Sequence, residues 1–207
     1  MARTYKNPKL IAVTGGIGSG QTTVCSFFQK WHCKVINADK KAHEVIQRNK
    51  KLQNELTKVF GKDIFGKDKK LNRQLLAERA FKDELHTRKL NQLVHPRMVE
   101  VIVEEMEQAR FSKRYPLVII DAALVYEISI ESMFDAVVVV NAPIKLRQQR
   151  VKERDGMSRK QFLERSEKQI PLEDKVKWTD FVIENDCPLG ELEKRTREIY
   201  EKLIRLK

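Results

Sequence analysis

The chain has 207 residues, 41 of them Lys or Arg against 29 Asp or Glu, for a net charge of +12 with 41% hydrophobic and 34% charged residues. That length and apolar content suit one globular domain with a hydrophobic core, and no apolar run approaches the roughly 20 residues needed to span a bilayer. Three cysteines (Cys25, Cys33, Cys187) build no disulfide framework, and the basic start MARTYKNPK lacks a following apolar stretch, so a reducing cytoplasm without membrane association is expected.

The positive balance calls for an anionic partner. Basic residues are spread along the chain in short runs such as 67–70, without the aromatic interleaving that stacks bases. A polyphosphate substrate in a basic cleft is therefore expected, and nucleic acid is not.

In chain order, the apolar run Leu10–Val13 leads into TGGIGSGQTT and then an amphipathic stretch, the strand, loop and helix of a phosphate-binding P-loop. Gly15, Gly16, Gly18 and Gly20 allow positive φ and close backbone approach. The N–H groups of Gly15, Gly16, Ile17, Gly18, Ser19, Gly20, Gln21, Thr22 and Thr23 would then converge on phosphate oxygens at a helix N-terminus. In G-x-x-x-x-G-K-[ST] the Lys is replaced by Gln21, while Thr22 fills the last position. An amide donates hydrogen bonds but carries no charge. Losing one donor aimed at developing charge costs roughly 100- to 1,000-fold in rate.

A helix follows over 22–30, then a short strand over 34–38 ending at Asp39. A side chain just past the carboxyl end of a parallel strand faces the ligand crevice, so Asp39 is a candidate catalytic or metal-adjacent acid. Capping the next helix is the other reading, and the two can coexist. Residues 40–112 carry almost no strand signal and read as helices over 40–48, 51–60, 73–82, 84–94 and 97–111, with a turn-rich break over 61–70. Such a helical excursion is where small P-loop kinases hold the acceptor. Its polar features are Arg73, His95, Pro96 and Arg97, with His95-Pro96 placed at a helix start, where a structural role is equally open.

The clearest buried strand is YPLVIIDA, 115–122, closed by Asp121, either a strand-end cap or a Walker-B-like acid that reaches Mg²⁺ through water. A fourth strand spans 135–141 with a helix over 144–153, and a fifth spans 181–185 with a closing helix over 190–206. Between them Arg147, Arg150, Arg154, Arg159, Arg165, Lys168 and Lys175 outnumber their local acids. The stretch reads as a basic helical hairpin, either a solvated pair or a lid that closes over triphosphate. The alternation predicts a parallel sheet with right-handed crossovers. It gives an α/β P-loop NTPase fold: a five-stranded parallel sheet flanked by helices, in a single domain over 1–207. The expected core is 9–39, 115–146 and 179–207, with a helical acceptor-binding insertion at 40–112 and a lid at 147–177.

With these segments in hand, the chain resembles dephospho-coenzyme A kinases nearly end to end. The resemblance is carried by TGGIGSG (14–20), N-A-D-x-x-A-H (37–43), L-N-R-x-x-L (71–76), V-H-P (94–96) and D-x-x-L-V-Y-E (121–127). It continues through Q-x-R-x-x-x-R-D-G (148–156), Arg165 with Gln169, and D-x-V-I-x-N (180–185). It implies ATP and Mg²⁺ as cofactors and dephospho-coenzyme A as the acceptor, phosphorylated on its ribose 3′-hydroxyl, with a monomer or weak homo-oligomer expected. By the same resemblance Asp39 is the general base, Thr22 holds the metal, and Arg150 and Arg154 lie near the phosphates. Arg73, His95, Pro96 and Asp121 would line the substrate side. Departures from the pattern are Gln21, the segment DAALVYE with Ala123 and Val125, and Asn37 in place of an acid. Three readings compete: an active kinase in which a lid arginine, Lys40 or Lys41 replaces the missing charge, a weak or inactive nucleotide- or coenzyme A-binding homologue, and a nucleic-acid-binding protein.

Overall fold

The computed structural model describes residues 4–66 and 68–206. Met1–Arg3 of the basic N-terminal stretch and Lys67 of the 67–70 run lie outside them. Two compact units emerge, one made of the chain up to Asn37 together with Met106 onward, the other Ala38–Glu105.

The first unit is built on five parallel strands: β1 (Lys9–Gly15), β2 (Lys34–Asn37), β3 (Leu117–Asp121), β4 (Ala136–Asn141) and β5 (Phe181–Glu184). They lie in the order β2-β3-β1-β4-β5. Central β1, β3 and β4 read as continuous Val/Ile/Leu runs because both of their faces are covered by helices. Helix α1 (Gln21–Lys30) lays Val24, Cys25, Phe27 and Phe28 into the same core as Ile11, Val13, Ile119 and Val138. The last helix of the chain, Leu189–Leu203, adds Leu192, Ile199 and Leu203 to that core. Strand register decides which residues meet at the carboxyl end of the sheet. Asp121 lies beside Val13 of β1 on one side and Asn37 of β2 on the other, and Gly15 lies beside Val140. The carboxyl ends of β1, β2 and β3 thus open on one place, where ligands of open parallel sheets bind.

The second unit contains α2 (Ala38–Arg48), α3 (Lys50–Phe60), α4 (Arg73–Ala80) and most of α5 (Glu84–Ser112). Val45, Leu52, Leu56, Phe60, Ile64, Leu76 and Val94 close around one another as its core. Asn49 and Asn72 cap α3 and α4 by accepting the N–H groups of Leu52 and Leu75 at 3.0 and 3.1 Å.

Three expectations are corrected. Strand β2 ends at Asn37 and α2 begins at Ala38, so Asp39 is not a strand-end residue or an N-cap but the second residue of a helix. Its charge there is favoured by the helix dipole. The break expected at His95-Pro96 is absent, since α5 runs through Pro96. An interior proline disturbs carbonyls one turn back, and the Arg97 guanidinium donates to the Leu93 carbonyl at 2.7 Å while pairing with Glu55 at 2.8 Å. His95 is therefore mid-helix. Three helices, not a hairpin, fill the region between β4 and β5: α6 (Ile144–Asp155), α7 (Arg159–Ser166) and α8 (Leu172–Trp178), with the closing helix as α9. No helix of the described residues is long and apolar enough to cross a membrane.

Candidate functional site

The loop after β1 is shaped by what surrounds it. Only two of its four glycines use positive φ, Gly18 at 78° and Gly20 at 93°. Gly15 and Gly16 are needed for close approach instead. A Cβ on Gly15 would strike the Ser19 hydroxyl and the Val140 carbonyl, and one on Gly16 would strike the Arg147 guanidinium. Gly20 is the N-cap of α1 and has no side chain to accept the first-turn N–H groups, which leaves those donors for an anionic ligand. Ser19 N–H closes a turn onto the Gly16 carbonyl at 2.9 Å, and Ile17 N–H donates to Gln169 Oε1 at 3.0 Å. A phosphate that takes the Ile17 donor must therefore displace Gln169 from the loop.

Gln21 points at Asp121, donating from Nε2 to Oδ1 at 2.5 Å, while Asn37 Nδ2 donates to Oδ2 at 2.6 Å. Burial pushes the pKa of the neighbouring Cys25 thiol up, and the Asp121 charge raises it further. Asp121 is only 4% exposed, so a nearly buried carboxylate is held by two neutral amide donors. A buried anion without a cation is costly, and oxygen donors are the chemistry Mg²⁺ selects. The Thr22 hydroxyl, exposed in the first turn of α1, is the second such donor. Magnesium keeps most of its shell from water and substrate phosphates, and this small donor set fits it.

Arg150 reaches the loop through Asn185. Its Nη2 donates to the Asn185 carbonyl and Oδ1, each at 3.1 Å, and Asn185 Nδ2 donates to the Ser19 carbonyl at 2.6 Å. Arg154 does not join them, for its guanidinium grips Asp155 at 2.7 and 2.8 Å. In the helical unit, Asp39 and Arg73 are both exposed and both act on His43. Burial lowers the His43 pKa, Arg73 lowers it further, and Asp39 opposes them. His95 is half-buried, and burial pushes its pKa down as well. Lys41, one possible replacement cation, is held by Glu105 at 2.7 Å and Glu44 at 2.9 Å. His43, Asn185 and Gln169 were each inside a quoted motif without an assigned role; what they touch needed coordinates.

Against known proteins, the dephospho-CoA kinase sequence profile matches residues 9–191. The chain belongs to the dephospho-CoA kinase family. A dephospho-CoA kinase of Aquifex aeolicus is 34% identical over 198 residues, covering 95% of this chain and 98% of the relative. A solved structure from Thermus thermophilus superposes with a TM-score of 0.80 at 31% identity, covering 96% and 99% of the two chains. The dephospho-CoA kinase structure from Campylobacter jejuni shares the fold, with a TM-score of 0.66 at 24% identity and 95% and 97% coverage.

Helix α8 of this dephospho-CoA kinase family member is anchored by a buried ion pair. Lys175 is fully buried, and its Nζ lies 2.6 Å from Glu127 Oε1 and 3.0 Å from the Ala123 carbonyl. The Ile170 N–H donates to the same Glu127 oxygen at 3.0 Å. Burial lowers the Lys175 pKa and the Glu127 carboxylate pulls it back up. Lys175→Met strands the Glu127 charge and is expected to destabilise the protein by about 3–5 kcal/mol. That is a fall in Tm of roughly 10 °C for a protein of this size. Lys175→Met/Glu127→Gln recovers most of the loss. Thermal unfolding of both variants checks this, and a double variant no better than the single would show that the pair is not what holds α8.

Proposed function

We propose that the chain transfers the γ-phosphate of ATP to the ribose 3′-hydroxyl of dephospho-coenzyme A, giving coenzyme A. The observation that carries this reading is the family match over residues 9–191, a span that takes in the P-loop, Asp39, His95-Pro96, Asp121 and the lid arginines. The loop backbone and the first turn of α1 hold the triphosphate. Thr22 and Asp121 would hold Mg²⁺, which neutralises phosphate charge when bound. Asp39 accepts the hydroxyl proton as the oxygen attacks phosphorus. Arg73, His95 and Pro96, all in the helical unit, belong to the acceptor side, and Arg150 and Arg154 to the phosphates once the lid helices close.

Locating the phosphate on the product tests the acceptor: with Mg·ATP and dephospho-coenzyme A, ³¹P–¹H correlation should place it at the 3′ oxygen. A product phosphorylated elsewhere would overturn the assignment. A second reading, a homologue that binds nucleotide but turns over slowly, has one observation in its favour. Gln21 is uncharged and its amide is held by Asp121.

A further inference from the structure

The loop lacks its cation at position 21, yet a cation is built into its wall. Arg147, in the first turns of α6, is only 4% exposed. Its guanidinium occupies the space a side chain on Gly16 would need, and its main-chain carbonyl lies where a Cβ on Gly18 would sit, 2.6 Å away. One residue of α6 therefore fixes both glycines in the middle of the phosphate loop.

What holds the guanidinium is apolar. It stands 5.7 Å from the centre of the Phe162 ring, and Leu172 closes on the same side of Gly16. Its Nε is buried without a hydrogen-bond partner among the described residues, and no carboxylate there forms an ion pair with it. Burial lowers the Arg147 pKa and Glu173 opposes that only from a distance. Arginine is the residue suited to such a place, because it stays charged when buried and its planar fork matches phosphate oxygens. A buried, unpaired cation is unfavourable until an anion arrives. Of the other basic side chains offered as substitutes, Lys41 is held by Glu44 and Glu105 and Arg154 by Asp155. Arg150 commits its Nη2 to Asn185, and its Nη1, buried without a hydrogen-bond partner among the described residues, lies near Gly20 at the other end of the loop from Gly16.

We propose that Arg147 supplies the positive charge of the phosphate loop in this chain, acting on the bound triphosphate from the Gly16 side and taking over the ground-state part of the work that a lysine at position 21 would do. The proposal rests on the ATP-binding reading of the loop and deepens it. It divides the labour: Arg147 governs how tightly triphosphate is held, while the charge beside the moving phosphoryl group is still missing at Gln21.

The test is nucleotide affinity of the full-length protein carrying Arg147→Gln, Arg147→Met or Arg147→Lys, with Mg·ATP measured by calorimetry and adenosine by competition. Arg147→Gln and Arg147→Met are expected to weaken Mg·ATP at least tenfold and adenosine less than twofold, with Arg147→Lys in between. Equal weakening of ATP and adenosine would mean that Arg147 merely shapes the loop and would overturn the proposal, as would ATP affinity within twofold of the parent. Arg147→Lys keeps both the charge and an apolar stem, so it decides the matter if the other two do not fold. Coenzyme A formation by the parent is followed in parallel. Its failure would count against the acceptor assignment, while the ATP titrations still judge Arg147.

Discussion

Asp39→Asn is expected to lower the turnover number by about 1,000-fold, within the usual worth of a positioned general base, while the ATP dissociation constant changes less than about threefold. The asparagine keeps the size and the hydrogen-bonding capacity of the carboxylate and loses only its ability to take a proton. Asp39 is exposed and in the first turn of α2, so removing its charge costs the helix only a few tenths of a kcal/mol to about 1 kcal/mol through the dipole. A stability loss therefore does not mimic the catalytic one. Single-turnover rates and calorimetric ATP binding, measured on the same preparation, separate the two. A variant that keeps a tenth or more of the parent rate would reduce Asp39 to a helix-favouring acid.

Gln21→Lys is the second large effect and runs the other way, an increase in turnover of at least tenfold. The Gln21 amide is directed at Asp121 at 2.5 Å, and a lysine from the same position brings a full charge to the place where charge develops on the transferring phosphoryl group. Tenfold corresponds to about 1.4 kcal/mol of transition-state stabilisation, a modest share of what one well-placed donor supplies. The new ammonium would also find the Asp121 carboxylate, which Asn37 still engages at 2.6 Å. The gain should therefore fall in turnover, with little change in ATP affinity, the opposite split from Arg147→Gln. An unchanged turnover number would mean that charge at position 21 does not limit the rate and that the charge from the Gly16 side serves the transition state too.

Much of this was legible before any coordinates. The strand, glycine loop and helix around Gly15–Gln21 follow from local chemistry, and the buried apolar runs of β3 and β4 leave little choice but a covered parallel sheet. The boundary errors are equally physical. Ala38 and Asp39 suit a strand end as well as a first helical turn, and only the register of β2 against Asp121 places the stop at Asn37. Pro96 reads as a break because prolines usually are. It sits inside α5 where Arg97 donates to the Leu93 carbonyl, and Arg97 is itself fixed by Glu55, 42 positions earlier. The placing of Arg147 was out of reach of sequence alone. Among five arginines in one basic stretch, nothing in the order of residues says which guanidinium turns inward, since that depends on Gly16, Phe162 and Leu172 meeting at one place. The convergence of Gln21, Asn37 and Cys25 on Asp121 is likewise a product of three neighbouring elements.

A phosphate loop with glutamine in place of lysine is expected still to serve a working kinase. Incubating the purified protein with ATP, Mg²⁺ and dephospho-coenzyme A and detecting coenzyme A by mass tests it most directly. Multiple turnovers are expected, lost on chelation of the metal and reduced by Asp39→Asn. Nucleotide binding by calorimetry with no coenzyme A formed would contradict it, and would make this a kinase fold that holds its ligands without joining them.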